Sequence, residues 1–96
     1  MLITRLKEAR RRAGLTQEKL GILAGLDEAS ASARINQYEK GKHAPNFETV
    51  CNLAKALNVP VSFLYTTEDD LAQFILLFGS LSESDRRTIL TQYSQY

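Results

Sequence analysis

Helix breakers recur along this chain at intervals of one short helix. Gly14, Gly25 and Gly41 each follow an apolar-periodic run, and Asn58 with Pro60 closes another. Glycine and asparagine accept the left-handed conformation that ends a helix, and proline bars continuation. The runs between them carry apolar residues at helical rather than alternating spacing. The pattern predicts an all-α fold of short helices. In residues 2–13, Leu2, Leu6, Ala9 and Ala13 form the expected buried stripe, with Ile3 beside it. Arg5, Lys7, Glu8, Arg11 and Arg12 lie off that stripe. Thr16 is the expected N-cap of a second helix, whose apolar face is Leu20, Leu23 and Ala24. Asn46 caps a later helix with the stripe Phe47, Val50, Cys51, Ala54 and Leu57. Val61 to Tyr65 makes one further turn, with Phe63 and Leu64 inward.

The stretch Asp27–Glu39 holds the helix with the most distinctive surface. Ala31, Ile35 and Tyr38 fall at i, i+4 and i+7 and make one apolar stripe. Ser30, Ala33, Gln37 and Lys40 point the other way, flanked by Arg34 and Asn36. That face is small, polar and short of carboxylates. It suits a DNA groove, where Gln, Asn, Arg and Ser reach base edges. The alternative is a plain solvated surface. Asp27 and Ser30 are both acceptable N-caps. Asp27 gives a longer helix and Ser30 a longer turn, and Ser30 is preferred.

A chain of 96 residues holds one small domain and a short appendage. Its net charge of +1 hides an asymmetry. Residues 1–45 carry nine Lys/Arg against five Asp/Glu, and residues 46–96 carry three against six. One basic face towards a polyanion is the implied arrangement. A single cysteine excludes an internal disulfide, and Cys51 reads as a core residue rather than a nucleophile. His43, the one histidine, lies in a basic turn as a solvated residue or a weak phosphate contact. No Gly-rich nucleotide loop or metal-ligand spacing occurs, so neither enzyme activity nor a cofactor is expected. Without a long apolar run or a leader, the expectation is a cytoplasmic protein with no membrane contact.

After Tyr65 the chain changes character. An acidic start, Thr66 to Asp70, precedes Leu71, Phe74, Ile75, Leu76, Leu77, Phe78 and Leu81, apolar over most of a helix. Ser82 or Ser84 caps a last helix with Ile89, Leu90 and Tyr93 on one face. Residues 1–65 are the expected DNA-binding domain and 66–96 a helical extension. The apolar arc packs back on the domain or pairs with a second chain. Self-association is preferred, through Leu71, Phe74, Ile75, Phe78, Ile89, Leu90 and Tyr93.

Arg10, the run Gly14-Leu15-Thr16-Gln17-Glu18, Leu20, Ala24-Gly25, Ile35, Tyr38-Glu39, Gly41, Pro45 and Leu53-Ala54-Lys55-Ala56-Leu57 together resemble the phage-repressor/Cro-type helix-turn-helix domain (the xenobiotic-response-element family). The resemblance covers about residues 2–65. It implies a lambda-repressor-like five-helix domain followed by a C-terminal pair of short helices. The second helix would cross the DNA backbone and the third would enter the major groove. By position it implies Gln17 beside a phosphate, and Ser32, Ala33 and Gln37 facing bases, with Arg34 and Asn36 close by. Lys40-Gly41-Lys42 matches a phosphate-binding turn. Arg10 and Glu39 match a structural ion pair, and the helical phase agrees, because Glu39 points nearer the core stripe than the groove face. One departure stands out. Gly25 precedes Ile35 by ten residues, where the family pattern has six. The extra residues either lengthen the third helix or form a loop, and they bring Ser30, Glu28 and Asp27 towards the DNA side. The function implied is a dimeric repressor that binds double-stranded DNA at a palindromic operator. The rival is an antitoxin-like or regulatory module that binds a partner protein through 71–93.

Overall fold

The breakers fall where helices end. The computed structural model describes residues 1–94, and its elements are α1 (Ile3–Arg12), α2 (Gln17–Leu23), α3 (Ala31–Glu39), α4 (Phe47–Leu57), a 3-10 turn (Val61–Tyr65), α5 (Asp69–Ser80) and α6 (Glu83–Tyr93). The described residues include no strand. Gly14, Gly25 and Gly41 take φ of 70°, 87° and 72°, and Asn58 takes 56°. These are the left-handed positions that satisfy the last carbonyls of a helix. The expected caps also form. Thr16 Oγ1 accepts from the Lys19 N–H at 3.0 Å and Asn46 Oδ1 from the Thr49 N–H at 2.8 Å.

Leu6, Leu20, Ile35, Leu53, Phe63 and Leu64 are fully buried and bring α1 to α4 and the 3-10 turn into one core. Each such side chain contributes about 1.5–3 kcal/mol by leaving water. The body closes on itself where the Leu2 N–H donates to the Leu64 carbonyl at 2.7 Å.

Five expectations fail at the edges of this core. Phe47 is 64% exposed and Leu23 51%. Phe47 opens α4 and Leu23 closes α2, so both stand outside the core their helices enter. Ala13, just past α1, is exposed, and Cys51 is only half-buried. The fifth failure is Arg5, which lies off the apolar stripe and is nevertheless buried. Its Nε donates to the Thr66 carbonyl at 2.9 Å. Its Nη2 donates to the Thr67 carbonyl at 3.3 Å and to Asp69 Oδ1 at 2.9 Å, and its Nη1 to Glu8 Oε2 at 3.1 Å. The guanidinium also lies 5.7 Å from the Phe63 ring centroid. A buried cation is tolerated when its donors are matched in this way. The bond to Asp69 holds its pKa above the ordinary arginine value, against the lowering effect of burial.

Beyond this latch the chain leaves the body. Ala72 is buried, Ile75 and Leu76 partly so, and no residue of α6 is buried. Ser82, not Ser84, caps α6 by accepting from the Asp85 N–H at 3.1 Å. Arg86 ties the two helices together by donating to the carbonyls of Phe78 at 2.9 Å and Gly79 at 2.6 Å. The molecule measures 49 × 22 × 22 Å with a radius of gyration of 14.9 Å. A compact chain of this length would have about 12–13 Å. The excess comes from α5 and α6 standing out as an arm.

Candidate nucleic-acid interface

The site begins with the spacing of α2 and α3. Gly21 and Ala31 set it, because a Cβ on Gly21 would lie 2.7 Å from the Ala31 Cβ. The two helices therefore touch almost backbone to backbone. The sequence reading passed over Gly21, although a glycine inside a two-turn helix is a signal of close approach.

The extra residues between these helices form the turn. Leu26 N–H donates to the Gly21 carbonyl at 2.9 Å and Gly25 N–H to Ile22 at 3.0 Å, closing α2. Ser30 N–H then donates to the Asp27 carbonyl at 3.0 Å. The preferred start of α3 holds, since its first residue is Ala31. Ser30 does not cap it through the side chain, however. Its hydroxyl donates back to the Asp27 carbonyl at 3.4 Å, because the residue belongs to the turn.

Ala31, Ile35 and Tyr38 are buried, as their spacing demands. Ser32, Ala33 and Lys40 are exposed and Gln37 is partly so, on the opposite side of α3. Arg34 lies to one flank, where its Nη2 donates to the Tyr38 hydroxyl at 3.0 Å and its guanidinium sits 5.9 Å from the Tyr38 ring centroid. On the other flank Arg10 Nε donates to Glu39 Oε2 at 2.6 Å and Nη2 to Oε1 at 3.2 Å. Arg10 Nη1 also donates to the Leu15 carbonyl at 3.0 Å. Only 14% of the Arg10 side chain and 4% of the Glu39 side chain are exposed. The pair pins the end of α3 to α1 and to the entrance of α2.

Gln17 opens α2 and is drawn into the same cluster. Its Nε2 donates to Asn36 Oδ1 and to Glu39 Oε1, both at 3.2 Å. Its Oε1 and the backbone N–H groups of Gln17 and Glu18 remain for other partners, that of Lys19 being taken by the Thr16 cap. After α3, Gly41 N–H donates to the Tyr38 carbonyl at 3.1 Å and Lys42 N–H to Gln37 at 2.9 Å. Lys40 and Lys42 are exposed on this turn, and among the described residues neither forms an ion pair. His43 is exposed beside them. Chemically the surface offers hydrogen-bond donors and acceptors on a fixed helix between unpaired cations. It holds no cluster of metal-ligating side chains among the described residues.

Comparison with known proteins accords with this geometry. A helix-turn-helix family profile matches residues 6–64, from α1 to the 3-10 turn. The crystal structure of the transcriptional regulator BswR is similar over 100% of this chain and 95% of that one, with a TM-score of 0.92 and 49% sequence identity. No curated protein matches the chain. With α2 and α3 arranged as described and the profile spanning most of the body, the chain belongs to the Cro/C1-type helix-turn-helix family of DNA-binding regulators.

Proposed function

We propose that the protein is a sequence-specific repressor that binds a palindromic operator as a homodimer. The observation that carries the reading is the free outer face of α3. Ser32, Ala33 and Gln37 stand clear of the core, and the Arg10–Glu39 pair holds the helix that bears them. In the proposed complex α3 lies in the major groove. Lys40, Lys42 and the N-terminus of α2 at Gln17 engage phosphates and set register. Gln37 and Asn36 read base edges, and Ala33 meets a thymine methyl. Ser30 and Arg34 are lesser contributors, one held in the turn and the other stacked on Tyr38.

Residues 66–96 supply the dimer contact in this reading. Leu71, Phe74, Ile75, Phe78 and Leu90 line an open groove of about 490 Å³ between α5, α6 and Pro60. Ile89 and Tyr93 lie on α6, and Tyr93 is 72% exposed. A second copy is the occupant that fits. The arm projects from the body, and a two-fold pairing of such arms would present two α3 helices to half-sites about 34 Å apart. Repression follows from an operator being occupied. No helix of the described residues is long and apolar enough to cross a membrane, in keeping with a cytoplasmic location.

Sedimentation of the full chain, with and without random duplex DNA at low salt, tests the reading. A dimer that binds DNA is expected. Gln37→Ala should lose about 1–3 kcal/mol of discrimination at one base pair. Lys42→Ala should weaken binding to every sequence and lower the salt slope by about one. A monomer that binds DNA would refute the dimer and favour a foreign protein on the arm, as in an antitoxin-like module.

A further inference from the structure

We infer that Arg5 is a positioning residue: it fixes the angle between body and arm, and so the one half-site spacing that the dimer accepts. The inference rests on the dimeric reading above and deepens it. Its basis is the joint between the 3-10 turn and α5, where only Thr66, Thr67 and Glu68 intervene. Among the described residues, Arg5 is the sole donor to the Thr66 and Thr67 carbonyls, at 2.9 and 3.3 Å. The same guanidinium reaches Asp69 Oδ1, in the first turn of α5, at 2.9 Å. A guanidinium presents its donors in a rigid planar fork. Three bonds from one such group therefore fix the direction of the chain as well as its distance. The group is itself held, by Glu8 Oε2 on α1 and by the Phe63 ring. One side chain of α1 thus clamps both the linker and the start of the arm, and Arg5 and Thr66 are both buried.

The first arm helix carries that angle outward. Asp69, Ala72, Leu76 and Gly79 fall at i, i+3, i+7 and i+10, on one face of α5. Ala72 is buried, Leu76 packs on the core, and a Cβ on Gly79 would lie 3.1 Å from Pro60 Cγ. Leu71, Phe74 and Phe78 lie on the other side and line the groove proposed for the second copy. The helix therefore stands directly between body and partner. Its 12 residues span about 18 Å, so a swing of about 10° at the joint moves the far end by about 3 Å. One base pair advances a half-site by about 3.4 Å and turns it by about 35° around the DNA axis. Apolar burial is non-directional and does not by itself forbid such a swing. The directional bonds at the joint belong to Arg5.

The test selects an operator for the wild type from a random duplex library. It then varies the spacer between the half-sites by one and two base pairs, with sedimentation and thermal melts on every variant. The wild type should prefer one spacing by about tenfold over its neighbours. Arg5→Met should stay dimeric and bind the neighbouring spacings to within about threefold of the best. Arg5→Lys keeps the charge without the fork and should fall between. Asp69→Ala removes only the bond to α5 and should also fall between. The Asp69 side chain is 97% exposed, so this variant carries the test if Arg5→Met fails to fold. A wild type indifferent to spacing would overturn the inference and leave the dimeric repressor standing. So would spacing ratios unchanged in the variant that carries the test, with affinity lowered equally at every spacing, which is what a merely structural role predicts. A wild type that sediments as a monomer or selects a lone half-site would overturn the dimeric reading, and this inference with it.

Discussion

Replacing Gly21 with alanine is the sharpest test of how the recognition helix is placed. The added Cβ would stand 2.7 Å from the Ala31 Cβ and 3.0 Å from both its Cα and its carbonyl oxygen. Carbon atoms in contact prefer about 3.5–4.0 Å, so α2 and α3 must separate by nearly 1 Å. Two of the three close atoms are backbone, and no side-chain rotation relieves them. Overpacking of this kind costs about 1–3 kcal/mol, and the rigid neighbours place it near the top of that range. Alanine in a helix gains about 0.5–1 kcal/mol over glycine. The net expectation is a loss of about 2 kcal/mol, or roughly 8–16 °C in Tm for a chain of this size. Circular-dichroism melts measure it, and a double-mutant cycle with Ala31→Gly assigns it. Removing the Ala31 Cβ relieves the closest contact, so the pair should be more stable than the sum of the single losses. DNA affinity should fall in Gly21→Ala even at temperatures where the chain stays folded, because α3 is displaced from α2. A melt unchanged or raised by Gly21→Ala would refute the close-approach argument, since helix propensity would then dominate.

Arg10→Met should destabilise by about 3 kcal/mol, because it leaves the buried Glu39 carboxylate without its cation. The loss sits at the low end for such pairs, since Gln17 still donates to Glu39, and chemical denaturation would read it. Poor DNA binding with an unchanged melt would instead make Arg10 a DNA contact. Phe74→Glu, placed in the arm groove, should convert the proposed dimer to a monomer by sedimentation while the melt of the body changes little, and a persistent dimer would move the interface elsewhere. Phe47→Ser should shift stability by no more than about 0.5 kcal/mol, because the ring is already in solvent. A loss above about 2 kcal/mol by denaturant titration, the scale of a buried side chain, would show that Phe47 is packed.

Much of the body was legible because it is local. Gly14, Gly25, Gly41 and Asn58 each act within their own turn, and the caps at Thr16 and Asn46 bond three residues ahead. The stripe Ala31, Ile35 and Tyr38 follows from helical phase alone, and it buried as predicted. Periodicity misled at helix ends. It marks which way Phe47 and Leu23 turn, yet it carries nothing about whether another helix is there to cover them. The placement of the extra residues before Ala31 was open for a similar reason. Asp27 and Ser30 are equally good caps, and the choice depends on which start lets Ala31 reach Gly21.

The sequence by itself determined that this chain forms short helices, where each ends, and which face of α3 stays polar. Each of these depends on residues within one or two turns of each other. The tertiary structure alone decided the rest. Arg5 is buried because Thr66, Thr67 and Asp69 arrive from more than sixty residues away to match its donors. Gln17 turns its amide nitrogen towards Asn36 because a carboxylate pinned by α1 orients that amide on α2. Pairings of this kind depend on which elements come to lie side by side, and spacing along the chain does not encode the direction of a hydrogen bond between elements that meet only after folding.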